Sequence, residues 1–401
     1  MFKKTSVKRK WVLNLSNMWF LYFVFSYALY LITPYSHYIS TLFIMVMTYF
    51  ANRRSTIRMP KSSAKIFIYF SLFYAWVLAS YIWAGWKNST QKTIIISSVE
   101  IVIMLFCMMS YGKSKKRLLN LIEAFVSSTL ICAVLYYATS PISQWGTTAM
   151  GTRMSIWRNS AGYYFMFAAI FSLYIYLQMK KKRRYLIIAF ILMLAAIGTG
   201  SRKVFVQIAI ATGLYVFTEK SFGKKVKIIS LGLCAVVLLF AIGSQIPSLK
   251  SLYEGRLLSI FTGAASNDSS TITRLLLQKK AIALFGTSPL IGRGLNAFTS
   301  YIGLDVAFLK DWAISPTYSH CNYTELLANG GIICFLLYYV YPIKQAVSKF
   351  KKREDIFKRL GLIVIVDFII LDYATISYYM RIYIIIFAIG MMLLMNANAD
   401  E

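Results

Sequence analysis

Long apolar runs separated by short basic loops constrain this chain more than any other feature of its sequence. The runs span 15 to 22 residues each and recur between residues 12 and 396. A helix needs about 20 apolar residues to cross a bilayer. The chain is 58% hydrophobic and 14% charged, whereas soluble domains carry roughly 25% charged residues. We therefore expect an all-α, polytopic integral membrane protein, with residues 1–401 forming a single domain.

The apolar runs predict about twelve transmembrane helices. Three neighbouring pairs have almost no loop between them, so ten or eleven spans remain alternatives. The first run follows a basic N-terminus and lacks a small-residue cleavage site at its end, which favours a transmembrane helix over a removed signal peptide. The predicted spans are 12–33, 37–52, 66–84, 93–111, 118–138, 163–179, 185–199, 204–218, 228–243, 331–346, 361–377 and 381–396.

The formal net charge of +30 is concentrated in alternate loops. Six segments hold 30 of the 44 Lys and Arg residues. Cytoplasmic loops of membrane proteins carry such an excess, so the pattern predicts cytoplasmic N- and C-termini. It also predicts contact with anionic membrane lipids and indicates orientation rather than a nucleic-acid site. The six segments are the N-terminal tail, 53–65, 113–117, 180–184, 220–227 and 344–359.

Two segments expected on the opposite side are longer than turns: 139–162 and 244–330. The second alternates apolar runs with Gly and Pro, which predicts a large extracytoplasmic loop packed on the helical bundle. Its stretch 272-ITRLLLQKKAIALF-285 is predicted to be a helix that lies at the level of the outer headgroups.

Arginine makes up half of the basic residues expected outside, and a guanidinium forms forked contacts with phosphate better than an ammonium does. Arg202 lies in the short connection 198-GTGSRK-203 and is expected to point into the bundle. The alternative is an arginine that reaches the lipid interface beside Lys203. Arg293 lies in 286-GTSPLIGRGLNAF-298, where the backbone forms either an anion-binding nest or an ordinary turn.

The segment 317-TYSHCNYTELLANGG-331 places His320, one of two histidines, beside Asn322, Tyr323 and Glu325. An imidazole with a pKa near 6.5 is able to take a proton from an attacking sugar hydroxyl; a purely structural histidine is the alternative. Asn322 and Glu325 either bind sugar hydroxyls or cap the helix that follows. A second metal ligand at helical spacing is missing and the five cysteines show no paired spacing, so we expect neither a metal site nor a disulfide.

Carboxylates inside the predicted spans keep a transporter open as an alternative. Charged groups are costly in lipid and often mark ion or proton paths. Hydrogen bonding between helices explains them equally well, and the chain shows no internal repeat of the kind that transporters use. These carboxylates are Glu100, Glu123, Asp367 and Asp372.

Taken in order, the GTGSR turn, the segment SPLIGRGLNAF and the segment YSHCNYTELLANGGIICFLLYY resemble the family of O-antigen ligases and O-antigen or capsular polysaccharide polymerases. The likeness covers about residues 195–340. It implies a C-type, metal-independent membrane glycosyltransferase without a cofactor. Such an enzyme acts outside the bacterial cytoplasmic membrane on glycans carried by undecaprenyl diphosphate.

The resemblance also implies roles for particular residues. Arg202 and Arg274 correspond to arginines that hold the donor diphosphate, with Arg256 and Arg293 as alternatives to Arg274. His320 corresponds to the histidine that activates the acceptor hydroxyl. Many members have Asn directly after this histidine, where the present chain has Cys321. Asn322 is the residue expected to take over that contact.

The form H-x-N-Y-x-E-L-L-x-N-G is more similar to the polymerases of capsule and exopolysaccharide pathways than to the ligases. The sequence therefore predicts a polysaccharide polymerase that joins lipid-linked oligosaccharide repeat units. A ligase that transfers the glycan to another acceptor is the first alternative, and a lipid-linked oligosaccharide flippase is the second. A separate flippase and a chain-length regulator are further candidate partners.

Overall fold

The computed structural model describes a bundle of helices joined by short loops. Within the described residues every regular element is a helix and no β-strand occurs, as the predicted all-α class requires. The described residues are 15–28, 36–52, 59–85, 88–145, 149–154, 156–178, 182–223, 269–350 and 355–395, with scattered helical positions between 225 and 241.

The helices described in full are numbered here in chain order. Three 3₁₀ turns, Ile142–Gln144, Thr152–Met154 and Asp372–Ala374, lie between them. The helices are α1 Leu15–Ala28, α2 Ser36–Asn52, α3 Lys61–Ala79, α4 Ser89–Tyr111, α5 Lys115–Ala138, α6 Arg158–Gln178, α7 Arg183–Gly198, α8 Arg202–Thr218, α9 Ser269–Gly286, α10 Ala297–Gly303, α11 Val306–Asp311, α12 Asn322–Phe350, α13 Ile356–Leu371 and α14 Arg381–Met395.

Five of the described helices are long and apolar enough to cross a membrane. They comprise 61–79, 90–111, 115–138, 158–177 and 322–350. Two shorter apolar helices, 37–50 and 381–395, accompany them. The membrane-protein class is therefore supported, whereas the count of about twelve spans stays a prediction. Both chain termini, on which the predicted orientation depends, lie outside the described residues.

The bundle has a basic end, where several of the predicted cytoplasmic segments meet. The Arg184 guanidinium, at the start of α7, pairs with Glu123 of α5 at 3.2 Å. Arg359, at the start of α13, pairs with Glu219 after α8 at 3.0 Å. Lys115, at the start of α5, lies over a ring in the first turn of α13. Segments far apart in sequence thus bring their positive charge to one end of the bundle.

The opposite end, called here the distal end, is defined by contacts of residues 372–380, the linker between α13 and α14. Lys203, at the start of α8, donates a hydrogen bond to Thr375 of this linker. Asn322, at the start of α12, donates to Asp372 at 3.2 Å. If the predicted orientation holds, the distal end faces outward.

Helix α14 occupies the centre of the bundle, with every residue from Tyr383 to Leu394 buried. The Phe387 ring stacks on Phe368 of α13, with ring centroids 4.3 Å apart and planes inclined by 6°. A Cβ atom at Gly361 would lie 2.8 Å from the Gly390 carbonyl oxygen. Small residues therefore let α13 and α14 approach closely, which is how membrane helices gain packing contacts without a hydrophobic driving force.

Residues 269–321, called here the loop subdomain, form a small folded unit at the distal end. The predicted helix 272–285 is present as the longer α9. Its residues Leu277, Ala281 and Leu284 are buried inside the subdomain, whereas Leu275 and Ile282 are exposed. Its position at the level of the outer headgroups stays a prediction. Lys280 of α9 pairs with Asp305 at 2.6 Å, which ties α9 to the residue directly before α11. The apolar cluster consists of Leu277, Ala281, Leu284, Phe298, Ile302, Phe308 and Ala328 of α12.

The loop subdomain is joined to α12 at a break in that helix. Gly331 has φ +71° and ψ −172°, a conformation almost restricted to glycine. Arg293 N–H donates to the Ala328 carbonyl at 3.0 Å and Gly294 N–H to the Asn329 carbonyl at 2.8 Å. Backbone carbonyls of α12 already accept these N–H groups, which favours the ordinary turn over the anion nest as the structure of this segment.

The start of α4 is fixed to the same subdomain. The Asn88 side chain accepts a hydrogen bond from Gln91 N–H at 3.1 Å, and the Gln91 side chain accepts one from Asn88 N–H at 3.2 Å. This capping box satisfies N–H groups that every helix start leaves unpaired. Asn88 also donates to Ser300 Oγ and Gln91 to the Leu295 carbonyl, each at 2.6 Å. The subdomain is thus held on two helices of the bundle.

Candidate functional site

His320 lies in a tight loop directly before α12, half-buried at the distal end. Its backbone is left-handed, with φ +59°, which is uncommon for a residue with a Cβ atom. The imidazole lies against the Tyr318 ring, with centroids 4.4 Å apart. Strained residues of this kind persist where the surroundings enforce them and are concentrated at functional sites.

Hydrogen bonds on both sides of His320 hold this strained conformation. The Glu325 carboxylate, fully buried in the first turn of α12, accepts from the Ser319 N–H at 2.7 Å. Ser319 Oγ donates to the Cys321 carbonyl at 2.9 Å, and the Glu325 N–H donates to that carbonyl at 3.0 Å. Asn329 donates to the second carboxylate oxygen at 2.9 Å. Glu325 therefore fixes the loop, and its two oxygens are both used inside the protein.

Two cations from other elements act on the imidazole. Arg274 projects from α9 of the loop subdomain, and Lys203 from the start of α8. Burial, followed by the positive charges of Arg274 and Lys203, lowers the pKa of His320 from its usual value near 6.5 to about 3. The ring is consequently neutral at physiological pH, as a group that must accept a proton requires.

Lys203 connects these cations to the α13–α14 linker. Its ammonium donates a hydrogen bond to Thr375, and it lies within electrostatic range of both Arg274 and the buried Asp372. Burial, followed by the charge of Arg274, lowers the pKa of Lys203 from its usual 10.5 to about 7, so His320 lies near Arg274 and a Lys203 that is only partly charged at neutral pH. An anion with several oxygens, such as a diphosphate, is the kind of ligand that two adjacent cations attract.

Asn322 is fully buried and ties α12 to the linker. Its amide donates to Tyr339 at 2.9 Å and to Asp372 at 3.2 Å, and its oxygen accepts the Ser377 N–H at 3.1 Å. Tyr339 in turn donates to Asp372 at 2.7 Å. Within the described residues none of these bonds leads to His320. The expectation that Asn322 takes over the contact made in many family members by the residue directly after the histidine is therefore not supported by these bonds.

Tyr323 packs along the side of α12 away from the imidazole. Its hydroxyl donates to the Ile369 carbonyl of α13, and its ring lies 4.9 Å from that of Tyr339. Its contacts thus bind α12 to α13. With Asn322 and Glu325, it supports the loop that carries His320.

The predicted arginines occupy different surroundings. Arg202 is the half-buried first residue of α8, directly before Lys203. Arg274 is half-buried near the start of α9, and its positive charge lowers the pKa of His320. Arg293 is exposed, and its Nε donates to Thr287 at 2.6 Å. Arg256, the remaining alternative, lies outside the described residues.

Comparison with known families bears on the same stretch of chain. Residues 187–339 match the O-antigen ligase family model. The resemblance that the sequence motifs predict is confirmed over this range. The range contains Arg202, Arg274, Arg293, His320 and the three residues predicted around the histidine, so all of them lie in the O-antigen ligase region. No curated protein matches the chain at a significant level.

Some residues of the site were missed by sequence reasoning. Lys203 lies within residues 187–339, which match the family model, but the family resemblance assigns the diphosphate role to its neighbour Arg202. Asp372 and Thr375 follow α13, beyond that region, and only the folded chain brings them close to Lys203. Tyr318 lies two residues before the histidine, and its ring contact is set by the left-handed turn between them. The adjacent basic pair at 202–203 was the one available signal.

Each carboxylate predicted inside the membrane has a partner from another helix. Glu100 binds Arg381 at 3.2 Å and Asp367 accepts from Gln207 at 3.2 Å, while Asp372 accepts from Asn322 and Tyr339. Glu123 is not deep in the bundle, because its side chain is 31% exposed and paired with Arg184 at the basic end. Contacts between helices therefore account for these groups in part, since one oxygen each of Glu100 and Asp367 has no hydrogen-bond partner among the described residues.

Within the part of the chain that the structure describes, no group of three His, Cys, Asp or Glu side chains is placed to hold a metal ion. Metal independence itself stays a prediction from the family resemblance.

Proposed function

We propose that this protein is a polysaccharide polymerase of the O-antigen ligase and polymerase type. It joins oligosaccharide repeat units carried by undecaprenyl diphosphate on the outer face of the bacterial cytoplasmic membrane. The observation that carries the proposal is the His320 imidazole in its left-handed loop, against Tyr318 and within electrostatic range of Arg274 and Lys203 from separate elements, in the region that matches the family.

In this proposal His320 is the general base. An imidazole nitrogen takes the proton from the acceptor hydroxyl as its oxygen forms a bond with the anomeric carbon of the donor sugar. A base must be unprotonated before it reacts, and burial beside Arg274 and Lys203 keeps the pKa of His320 low enough for this. Tyr318, stacked on the ring, restricts its orientation.

Arg274 and Lys203 act on the leaving group. As the new bond forms, the bond between the anomeric carbon and the diphosphate oxygen breaks, and the electron pair leaves with the lipid diphosphate. Positive groups that are in place before the reaction stabilise such charge strongly. The pKa of Lys203 is lowered to about 7 in the free protein, and a bound diphosphate would favour its protonated form. Arg202, at the half-buried start of α8, is proposed to bind the same diphosphate from its other side.

A bound diphosphate also couples donor binding to the base. The ligand's negative charge offsets Arg274 and Lys203, which depress the pKa of His320 in the free protein. An opposite charge nearby favours the protonated imidazole. His320 therefore becomes a stronger proton acceptor only after the donor has bound, which limits wasteful reaction with water.

The remaining predicted residues position this machinery. Glu325 fixes the backbone on one side of His320, while Asn322 and Tyr323 connect the start of α12 to α13 and the linker. We propose that none of the three touches the sugar, because their polar atoms already have partners in the protein.

A ligase is the second candidate, since O-antigen ligase is the description of the family model that matches. It would use the same base and the same diphosphate cations and differ only in its acceptor. The motif around His320, with Tyr323 and Glu325 in the order found in the resembling polymerases, favours a lipid-linked repeat unit as acceptor.

The test is glycan production in the native host with His320→Ala or Arg274→Gln in place of the parent protein. His37→Ala serves as the matched control, since His37 is the other histidine and lies at the start of α2. We expect the control to give parent-length chains, and the two site variants to accumulate single repeat units on lipid at the outer leaflet. Accumulation at the inner leaflet would instead indicate a flippase. Long lipid-linked chains that fail to reach a final acceptor would indicate a ligase.

A further inference from the structure

A cavity with mostly apolar walls lies at the distal end, and His320 is not among the residues that line it. It has a volume of about 170 Å³ and opens between α1, α6, α14 and the turn at Met154 and Ile156. Arg381, the first residue of α14, is the one charged residue among those that line it. Tyr22 and Ser26 of α1 and Tyr164 of α6 add hydroxyl groups. Apolar pockets with a few convergent polar groups are the usual form of a ligand site.

Arg381 retains capacity for an anion. Its Nη1 pairs with Glu100 at 3.2 Å, and its side chain is 26% exposed while that of Glu100 is 8% exposed. A guanidinium carries five N–H donors, and the contacts among described residues use one of them. The other Glu100 oxygen is buried and has no hydrogen-bond partner among the described residues, so a hydroxyl-bearing ligand near this pair would gain a bond.

The rest of the cavity suits one narrow apolar chain. Phe23, Ile156 and Ile385 contribute apolar walls. An apolar cavity of roughly 150 Å³ holds a single benzene ring, so this volume accommodates about one isoprene-sized group and not a pair of acyl chains. The cavity thus fits the start of a single-chain lipid whose phosphate lies on Arg381.

A cluster of tyrosines connects this cavity to the His320 loop. Tyr164 lines the cavity, and its ring lies 5.5 Å from that of Tyr383 on α14. Tyr383 contacts Tyr163 at 4.4 Å and lies within electrostatic range of Tyr318, the ring neighbour of His320. Tyr163, Tyr164 and Tyr383 are buried, so this cluster joins the wall of the cavity to the His320 loop through packing and is not itself a path for a sugar chain.

We infer that the Arg381 cavity binds the polyprenyl diphosphate of the second substrate, the acceptor, while Arg274 and Lys203 bind that of the donor. The inference rests on the proposed function, because joining two lipid-linked chains brings two diphosphates to one protein. Like charges repel strongly in a low-dielectric environment, so each diphosphate requires its own cation. The structure provides these cations on two separate groups of helices.

Photolabelling of the purified protein in lipid nanodiscs tests this directly. The probe is farnesyl diphosphate that carries a small photoreactive diazirine on its first isoprene unit, next to the diphosphate, and labelled peptides are mapped by mass spectrometry. In the parent we expect labels in α1 or α14 as well as near α9. Arg381→Gln should reduce labelling of α1 and α14 at least about tenfold, since it removes charge-assisted contacts to phosphate, and leave labelling near α9 unchanged.

Arg184→Gln is the matched control, because Arg184 also pairs with a glutamate at 3.2 Å but lies at the basic end; its labelling should equal that of the parent. Ile385→Trp fills the cavity and keeps the ion pair, so it replaces Arg381→Gln if that variant does not fold. Unchanged labelling of α1 and α14 in Arg381→Gln or Ile385→Trp overturns the inference. Competition with the probe by phosphatidylglycerol as effective as that by unlabelled farnesyl diphosphate also overturns it, because it indicates an ordinary lipid site. Equally effective competition by inorganic pyrophosphate overturns it too, because it indicates a site that does not recognise the polyprenyl chain.

Kinetics separate the two proposals. If polymerisation occurs, Arg381→Gln should raise KM for the acceptor about tenfold or more and leave KM for the donor unchanged. An equal rise in both values contradicts the inference and leaves the polymerase assignment standing. If the parent protein joins no repeat units at all, the proposed function fails, whereas the labelling result still decides whether the cavity binds a polyprenyl diphosphate.

Discussion

The buried carboxylate of Glu325 accepts a hydrogen bond from the Ser319 backbone N–H at 2.7 Å, one residue before His320. A side chain in the first turn of α12 thus controls the backbone that gives the histidine its left-handed conformation. The His320 loop and the helix that follows form one unit through this bond. His320 is held in position by the fold before any substrate arrives.

Replacing Glu325 with Gln should lower kcat with little effect on KM. Loss of a hydrogen bond that leaves a buried polar group unsatisfied costs about 1 to 3 kcal/mol, so we expect kcat to fall roughly five- to a hundredfold as the loop loses its fixed geometry. Polymerisation by purified protein in liposomes measures this. Glu123→Gln, which alters an ion pair at the basic end, is the control. Equal kcat in the two variants would show that Glu325 does not position His320.

The pH dependence of kcat/KM reports the protonation of His320 in the free enzyme. Because the pKa of His320 lies at about 3, the imidazole stays neutral and active as the pH falls from 7 to 5, and kcat/KM should change less than about threefold. A base with the usual pKa near 6.5 would lose activity roughly thirtyfold over that interval. A fall of kcat/KM below about pH 6.5 in the parent would contradict the lowered pKa of His320 on which this prediction rests.

Lys203→Met should move the acidic limb of this pH profile towards higher pH. Removal of the ammonium takes away one of the charges that lower the pKa of His320, so a larger fraction of the imidazole is protonated and inactive at pH 5. The ratio of kcat/KM at pH 5 to that at pH 7 should fall below the parent ratio. A ratio that does not change would place Lys203 too far from the imidazole to act on it.

Arg274 and Arg293 should differ sharply when each is replaced by Gln. Arg274 acts electrostatically on His320, whereas Arg293 is exposed and donates to Thr287. Loss of a group that stabilises the developing charge reduces kcat by about 10²- to 10³-fold, so we expect this for Arg274 and only a few-fold effect for Arg293. A larger loss of kcat for Arg293→Gln than for Arg274→Gln would instead assign the diphosphate site to the segment around Arg293.

The sequence predicts a good part of this arrangement, because its strongest signals are local. Apolar runs show where helices lie, and alternating basic loops predict the basic end at which Arg184 and Arg359 meet. The motif around His320 predicts a reactive loop. These features depend on residues within one or two helical turns of each other, and composition and spacing report such features well.

The parts that were missed depend on side-chain direction and on long-range contacts. Arg202 and Lys203 are adjacent at the start of α8, and a helix turns about 100° per residue, so the sequence alone does not show which of them reaches the histidine. Asn322 follows the reactive loop yet bonds to Asp372, fifty residues later. Such a partner is visible only when α12 and α13 are packed together.

Gly331→Ala should destabilise the protein more than an ordinary helical substitution. Its φ of +71° and ψ of −172° suit only glycine, and a Cβ atom there would lie 2.2 Å from the Leu290 carbonyl oxygen. We expect the thermal midpoint in detergent to fall by at least about 5 °C. Gly213→Ala is the control, because Gly213 lies in α8 with no atom within 4 Å of the added carbon. Similar midpoints would mean that the loop subdomain does not depend on this close contact.

The most direct measurement uses purified protein in liposomes with one radiolabelled, lipid-linked repeat unit as the sole glycan substrate. We predict that the parent converts it to a ladder of longer lipid-linked chains and releases one polyprenyl diphosphate for each bond formed. His320→Ala should form neither product. Absence of elongation by the parent until a different acceptor is added would contradict a polymerase and identify a ligase. Movement of the unaltered unit across the bilayer, without release of diphosphate, would contradict glycan transfer altogether.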